Sequence, residues 1–309
     1  MRSAKPIHLL IVILLALTWG SSFILMKRGL KDELGNAVFS PVQVAALRMG
    51  IASLVLLPIS IKAFRTIRRA DWKWLLLVGL LGSGIPALLF ASSQRFLDSS
   101  VAGILNGLTP LFTLVVGIFI FKKNIAIRQV IGVLLGLIGA AAMISLKGFE
   151  GNTQWSYSLL IILATFFYGI SVNTISSKLS HVPAMHITAL SLLMAGIPYS
   201  IYLATTDIVE VVHTNPHGWS SFGYICILGI VGSAMANALF FMLTQQTTPL
   251  FAASVTYLMP IVAVMWGLKD NESLGWMHLV CGILILAGVW LVNQRIKPGP
   301  VAPVPQKKD

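Results

Sequence analysis

Long apolar runs follow one another along nearly the whole chain and are separated by short polar or Pro- and Gly-containing segments. A helix needs about twenty apolar residues to cross roughly 30 Å of hydrocarbon, so each run predicts a membrane span. The ten predicted spans are 7–27, 41–61, 73–93, 99–121, 128–146, 155–177, 184–204, 218–242, 249–268 and 274–293. The pattern therefore predicts an all-α integral membrane protein with ten transmembrane helices.

The composition agrees with a membrane protein and argues against a nucleic-acid partner. Of the 309 residues, 56% are hydrophobic and 10% are charged, whereas a soluble domain carries about 25% charged residues. The net charge is +12, but the basic residues form short clusters between apolar runs, without a nucleic-acid-binding motif. Cys226 and Cys281 lie inside apolar runs without metal-ligand spacing, so no metal site is indicated.

The basic residues also predict the orientation of the chain. With the N-terminus in the cytoplasm, fifteen Lys and Arg residues fall in inner segments and six in outer segments, while Arg48 lies within a span. Cytoplasmic loops of membrane proteins carry an excess of Lys and Arg. We therefore expect a multi-pass protein of the cytoplasmic or inner membrane, surrounded by lipid, with both termini cytoplasmic.

One apolar stretch occurs twice. GLLGSGIPALLF at 79–90 resembles GIVGSAMANALF at 229–240, and the same offset of 150 residues aligns Pro110 with Pro260. Matches of Gly and Leu can arise from composition alone in apolar helices. The aligned Pro and Ser positions, without a gap, favour a duplication.

Each half of the chain holds five predicted spans. Because five is odd, the second copy must enter the membrane in the opposite direction to the first. We therefore predict two inverted five-helix repeats, at 1–148 and 149–294, followed by a disordered cytoplasmic tail at 295–309. Inverted repeats are typical of secondary transporters.

Two prolines in the middle of aligned spans predict kinked helices. Pro110 and Pro260 each remove a backbone donor and clash with the carbonyl group four residues earlier, near Asn106 and Thr256. Asn106 and Thr256 lie one turn before the prolines, on equivalent helix faces, where a midplane polar cavity would be built. Hydrogen bonding between packed helices is the alternative for both side chains.

Aromatic and amide side chains inside the spans supply further pocket candidates. Trp19 and Ser22 align with Tyr168 and Ser171 at an offset of 149, and each pair shares one helix face. Aromatic rings deep in a span can form the walls of a pocket, and core packing is the alternative. The predicted substrate-pocket residues are Trp19, Ser22, Arg48, Asn106, Tyr168, Asn173, Asn237, Thr256 and Tyr257.

Arg48 is the basic residue well within a predicted span. A charge there costs about 2.5–3.5 kcal/mol unless the side chain reaches the interface or is paired. Both interpretations stay open, snorkelling outward or contact with a substrate; an inward-facing Arg48 is suited to bind a carboxylate. Ser83 and Ser233 lie in small-residue stretches that predict helix packing rather than binding.

Catalytic and energy-coupling motifs are missing from the sequence. It has no Ser-His-Asp spacing, no HExxH and no P-loop, so neither an enzyme nor an ATP-driven pump is indicated, and no cofactor is expected. No predicted span has Asp or Glu near its centre, which weakens the case for obligatory proton coupling.

Several short motifs resemble the EamA-type branch of the drug/metabolite transporter superfamily. They are WGSSF at 19–23, ALRMG at 46–50, GLTPLFTLVVG at 107–117 and YLMPIVAVMWGLKDNE at 257–272, and the resemblance covers 7–293. It implies ten spans in two inverted repeats, a central pocket and export or exchange of small metabolites.

One position departs from the family pattern. The family often has Gly-Glu just after the fourth and ninth spans; the second half keeps Glu272, but the first half has Lys122 at the aligned position. The expected function is a secondary transporter that works by alternating access and exports or exchanges a small amphipathic, amino-acid-like or drug-like metabolite. A passive channel and a non-transporting membrane scaffold are the alternatives.

Overall fold

The computed structural model describes residues 6–122, 127–148, 154–247, 249–272 and 275–293. The described residues form helices joined by short turns, and no strand occurs among them beyond one isolated antiparallel bridge between Lys31 and Ala37. The all-α architecture is confirmed. The predicted tail at 295–309 lies outside the described residues.

Twelve helical segments make up the described chain. They are α1 (Pro6–Leu30), α2 (Pro41–Val55), α3 (Leu57–Phe64), α4 (Arg69–Gln94), α5 (Ser99–Phe119), α6 (Ile127–Gly148), α7 (Gln154–Lys178), α8 (Ala184–Ala204), α9 (Ile208–Thr214), α10 (Gly218–Gln246), α11 (Phe251–Lys269) and α12 (Trp276–Asn293). Their order follows the ten predicted spans, with α2 and α3 in place of the second span and α9 as a short extra helix.

Seven of these helices are long and apolar enough to cross a membrane, namely α1, α4, α5, α7, α8, α10 and α11. The pair α2 and α3 counts as an eighth if the 62° bend between them lies within one span. The apolar described parts of α6 and α12, at 127–143 and 276–291, are shorter. By length and composition the structure thus supports seven or eight of the ten predicted spans.

The bend between α2 and α3 has a local cause. Pro58 lies in the first turn of α3, and its ring prevents the helix of α2 from continuing without a break. At its other end, α2 begins with a capping box, in which Ser40 and Gln43 bond each other's backbone N–H groups.

Four of the membrane helices are internally irregular. The π-helical segments Leu80–Gly84 in α4 and Leu228–Met235 in α10 fall in the repeated stretches 79–90 and 229–240. Helix α5 is interrupted at Gly107 and Leu108, and α11 contains the 3₁₀ turn Ser254–Tyr257. All four irregularities lie inside their helices, and residues within or next to them, such as Ser83, Asn106, Asn237 and Thr256, line one central space.

The outer surface of the helix bundle is apolar. Leu17, Leu54, Ile201 and Met265 are large hydrophobic side chains that are more than half exposed on different helices. Soluble proteins seldom expose so many apolar groups over so wide a surface. This surface is suited to lipid, in agreement with a membrane protein.

Candidate functional site

A cavity lies among α1, α2, α4, α5, α7, α10 and α11. Its empty volume is about 840 Å³, counting the part that is open to solvent. Eleven of its lining residues belong to the first half of the chain and nine to the second. Concave sites that are mainly apolar and carry a few polar groups are typical of small-molecule binding.

Seven of the nine predicted pocket residues line this cavity. They are Trp19, Ser22, Arg48, Asn106, Tyr168, Asn237 and Thr256. These residues are separated by up to 237 positions in the sequence, so the helix packing alone brings them together.

Asn173 and Tyr257 lie elsewhere. The Asn173 amide donates to the carbonyl oxygens of Thr113 and Gly169, both at 2.8 Å, and so joins α7 to α5. The Tyr257 hydroxyl donates to the Val289 carbonyl oxygen at 2.5 Å and joins α11 to α12. Both side chains therefore connect helices, because their polar atoms are turned away from the cavity toward neighbouring backbone.

Aromatic rings form two walls of the cavity. On one wall, Trp19 packs edge-on against Phe240, with ring centroids 5.0 Å apart. On the other, Phe90 stacks with Tyr168 at 6.1 Å and contacts Phe23 at 5.9 Å. Such walls can contact a flat apolar ligand both by stacking and by edge-to-face packing.

Trp19 is held in place by a hydrogen bond to the irregular part of α10. Its indole N–H donates to the Gly232 carbonyl oxygen at 2.8 Å, inside the π-helical segment. Segments of π-helix are frequent at functional sites. The bond fixes the plane of the ring that faces the cavity.

Arg48 faces the interior of the protein. Its Nε donates to the Ser233 hydroxyl at 2.7 Å, and the side chain lines the cavity rather than the membrane interface. Within the described part of the chain no carboxylate pairs with it. A positive charge therefore remains available to the cavity.

Ser83 and Ser233 do more than pack helices together, which is the role that the sequence predicted for them. Ser83 lines the cavity and accepts a long hydrogen bond, 3.4 Å, from the Asn237 amide. Ser233 orients Arg48, as described above. The sequence signal that was available is the recurrence of Ser at the same place in both copies of the repeated stretch; the helix face of each Ser depends on the π-helical segments.

Other lining residues are apolar, and the sequence did not identify them as pocket residues. Met26, Phe90, Phe240 and Phe241 line the cavity although they are ordinary apolar residues of apolar spans. Their composition does not distinguish a cavity wall from a packed core.

Helices α5 and α11 are interrupted near Pro110 and Pro260. Each proline lies in the first turn of a new helical segment, and a 3₁₀-type bond precedes it, from Leu108 N–H to the Leu105 oxygen and from Leu258 N–H to the Val255 oxygen. The Asn106 carbonyl, which loses its proline partner, accepts instead from the Thr109 hydroxyl at 2.8 Å.

A polar cluster joins three helix ends away from the cavity. Glu272 accepts from the backbone N–H and hydroxyl groups of Ser99 and Ser100 at 2.6 to 3.0 Å, and Lys27 donates to it at 2.9 Å. Lys27 also pairs with Asp270 at 2.5 Å, and Arg28 bonds the same carboxylate. We call these residues the Glu272 cluster.

The carboxyl group of Glu272 is strongly perturbed. Its burial raises the pKa, but the hydrogen bonds from Ser100, Lys27 and Ser99 outweigh burial and lower the pKa from 4.5 to about 2. The group is therefore ionised at neutral pH and accepts hydrogen bonds from backbone N–H groups at the start of α5, which have no partner within the helix. Among the described residues no group of three His, Cys, Asp or Glu side chains is arranged for a metal ion.

The fold and the central cavity define a helical membrane protein with an internal cavity, and comparison with known proteins gives its family. A model of the EamA-like transporter family matches the chain twice, over residues 6–145 and 155–294. The chain therefore belongs to the EamA-like transporter family.

Three similar proteins are named as transporters of bacteria. The chain is 24% identical over 289 residues to an uncharacterized transporter of Haemophilus influenzae, covering 88% of this chain and 92% of the other. It is 23% identical to the uncharacterized inner membrane transporter YedA of Escherichia coli, covering 89% and 87%. The uncharacterized transporter YoaV of Bacillus subtilis is 21% identical, with 91% and 94% covered.

A protein of known crystal structure has the same fold. It aligns with a TM-score of 0.65 at 15% identity and covers 94% of this chain and 97% of its own. At this identity the likeness concerns the fold alone.

Proposed function

We propose that this protein is a secondary transporter that exports or exchanges a small amphipathic metabolite by alternating access. Two inverted five-helix repeats would enclose the cavity and open it to each side of the membrane in turn. The observation that carries the proposal is the central cavity, to which both halves contribute aromatic and polar side chains at equivalent positions.

The helix contacts support a twofold relation between the halves. Helix α1 packs on α11 and α10, while α7 packs on α5 and α4. Likewise α2 packs on α10 and α8 on α4. Exchanging α1, α2, α4, α5 and α6 with α7, α8, α10, α11 and α12 converts each contact into its counterpart, as a twofold axis requires.

Close approaches at matched glycines support the same relation. A Cβ added at Gly20 would lie 2.5 Å from Val262 Cβ, and one added at Gly169 would lie 2.8 Å from the Phe112 backbone. Gly20 aligns with Gly169, and Phe112 aligns with Val262. Each half thus uses the same small residue to bring its first helix against the other half's fourth.

The ends of α5 and α11 also agree with a twofold relation between the halves. Lys122 and Asn271 are the non-glycine residues with positive φ, 51° and 56°, in the described chain, and each follows the last turn of its helix. Residues in this left-handed conformation commonly terminate helices. The two positions differ by 149 residues, the same offset that aligns Trp19 with Tyr168.

The family match and the names of the relatives support transport rather than catalysis. The excess of Lys and Arg on one side of the predicted spans supports cytoplasmic termini. Export as the direction rests on the family resemblance.

Counterflow in proteoliposomes tests the proposal. Purified protein is reconstituted, and efflux of a pooled metabolite library is measured with and without a pH gradient. A transporter gives saturable flux that is accelerated by substrate on the opposite side. Flux that does not saturate and shows no exchange would identify a channel, and no flux of any library member would leave the scaffold alternative.

A matched pair of variants ties the flux to the cavity. Thr256→Leu places an apolar side chain in the cavity, so we expect transport to be largely lost. Thr205→Leu is the control, because Thr205 is exposed and its hydroxyl bonds the carbonyl three residues earlier, as that of Thr256 does. Equal effects of the two changes would contradict a role for the cavity.

A further inference from the structure

We propose that the substrate is an amphipathic carboxylate that lacks a free amino group, and that Arg48 is the residue that binds its carboxylate. This inference rests on the proposed function, since it names the substrate class of the same cavity. It is narrower than an amino-acid-like or drug-like metabolite, and it predicts a definite order of affinities.

The first step of the argument is the hydrogen bonding of Arg48. Guanidinium has five N–H donors in a planar fork that matches a carboxylate. Arg48 uses Nε to bond Ser233, and no described residue accepts from its two Nη groups. The bond to Ser233 fixes the plane of the fork, so the two Nη groups form a preorganised donor pair at the cavity wall.

The second step is the charge of the cavity. The residues that line it include Arg48 but no Asp or Glu. A carboxylate on the ligand would neutralise the buried cation through charge-assisted hydrogen bonds. An ammonium group would instead meet a like charge and find only neutral acceptors such as the Asn237 amide, which do not replace its lost hydration.

The third step is the remainder of the ligand. The Tyr168 hydroxyl lies near enough to Arg48 for an electrostatic interaction, and the Tyr168 ring stacks on Phe90. Across the cavity Trp19 and Phe240 form the second aromatic wall. A ligand with its carboxylate at Arg48 therefore meets aromatic rings along its body, which favours a flat or aromatic apolar group.

Four probes with one ring and different head groups test the inference. They are 3-phenylpropanoate, phenylalanine, 3-phenylpropylamine and 3-phenylpropanol, titrated calorimetrically into the purified full-length protein in detergent. We expect the acid to bind at least about tenfold more tightly than each of the others, because one charge-assisted hydrogen bond is worth that factor. Absence of acid binding, or equal binding of the amine or of phenylalanine, would overturn the inference.

Substitutions assign the effect to Arg48. Arg48→Gln should weaken binding of the acid about tenfold or more and leave the alcohol nearly unchanged, while Arg48→Lys keeps the charge and should give an intermediate loss. Arg65→Gln is the matched control, since Arg65 is exposed and lies outside the cavity. Persistence of the acid preference in Arg48→Gln would show that another group binds the carboxylate. If Arg48→Gln does not fold, the inference is tested by Arg48→Lys and by the order of affinities of the four probes for the unaltered protein.

Uptake of the same probes into proteoliposomes separates this inference from the proposed function. Binding in the expected order without uptake would support the inferred substrate class and contradict the proposed transporter function. Saturable uptake of the amine or of phenylalanine in preference to the acid would support the transporter function and contradict the inferred substrate class.

Discussion

Glu272 has a buried carboxylate that connects helices from both halves of the protein. Its side chain is 1% exposed and accepts hydrogen bonds from the start of α5 and from Lys27 at the end of α1. The corresponding turn of the first half carries Lys122 and Lys123 instead of an acid. The Glu272 cluster therefore connects helix ends at one end of the bundle. The acid at its centre has no sequence counterpart in the other half.

The lowered pKa of Glu272 predicts a pH-dependent contribution to stability. The folded-state pKa of about 2 lies below the ordinary 4.5, so the contribution is complete above pH 4.5 and is lost as pH falls toward 2. A shift of this size corresponds to about 3 kcal/mol. We expect Glu272→Gln to lower the melting temperature in detergent at pH 7, and the difference from the unaltered protein to shrink below pH 4.5.

Glu210→Gln serves as the control for this experiment. Glu210 is exposed in the first turn of the short helix α9, and its carboxylate belongs to no ion pair in the described chain. The melting temperature should therefore hardly change. A difference between Glu272→Gln and the unaltered protein that stayed constant from pH 7 to pH 3 would contradict the charge-based explanation.

The irregular helices differ in how far the sequence reveals them. Proline has a fixed backbone angle and no N–H, so Pro110 and Pro260 indicate the breaks in α5 and α11 directly. The π-helical segments of α4 and α10 have no such marker, since Gly and Ser at 79–84 and 229–234 are equally suited to close packing. Their register places Ser83 and the Gly232 carbonyl toward neighbouring side chains, which a regular helical wheel does not predict.

The breaks at the two prolines lead to a prediction about transport. Straightening helices α5 and α11 should lower the rate of transport. Pro110→Ala or Pro260→Ala restores an N–H group and allows the helix to run through the cavity wall. We expect both variants to fold and to transport substrate several-fold more slowly, because Asn106 and Thr256 lie on the turns that would be rewound. Initial rates in proteoliposomes and melting temperatures, measured together, separate turnover from folding.

Pro198→Ala is the matched control, since Pro198 lies inside the regular helix α8 and outside the cavity. Its replacement removes a helix-breaking residue from a position without a role at the cavity, so turnover should be unchanged. Normal rates in well-folded Pro110→Ala and Pro260→Ala variants would contradict the role of the breaks.

At the scale of the whole molecule, hydropathy predicts the helices better than it predicts what they enclose. Apolar runs gave each membrane helix in order, because the hydrocarbon core demands a minimum length. They did not reveal the bend at Leu56, since one proline in an apolar run is compatible with a continuous span. Nor did they separate Asn173, which bonds backbone between α5 and α7, from Asn237 at the cavity, because the helix face that meets a cavity depends on packing between distant segments.

The proposed inverted repeat predicts that equivalent loops lie on opposite sides of the membrane. Leu34, after α1, and Ser180, after α7, are exposed and occupy corresponding loops of the two halves. In a background with Cys226 and Cys281 replaced by Ala, Leu34→Cys should react with a membrane-impermeant maleimide added to intact cells. Ser180→Cys should react only after permeabilisation, because an odd number of spans separates the two loops.

Two further positions serve as controls for the labelling. Thr205→Cys lies in a predicted outer loop and Arg65→Cys in a predicted inner loop, and both residues are exposed. Labelling of Leu34→Cys and Ser180→Cys from the same side would mean that the two halves run in the same direction through the membrane. Parallel halves would need different movements to open a shared chamber to each side, and the alternating-access proposal would then lose its structural basis.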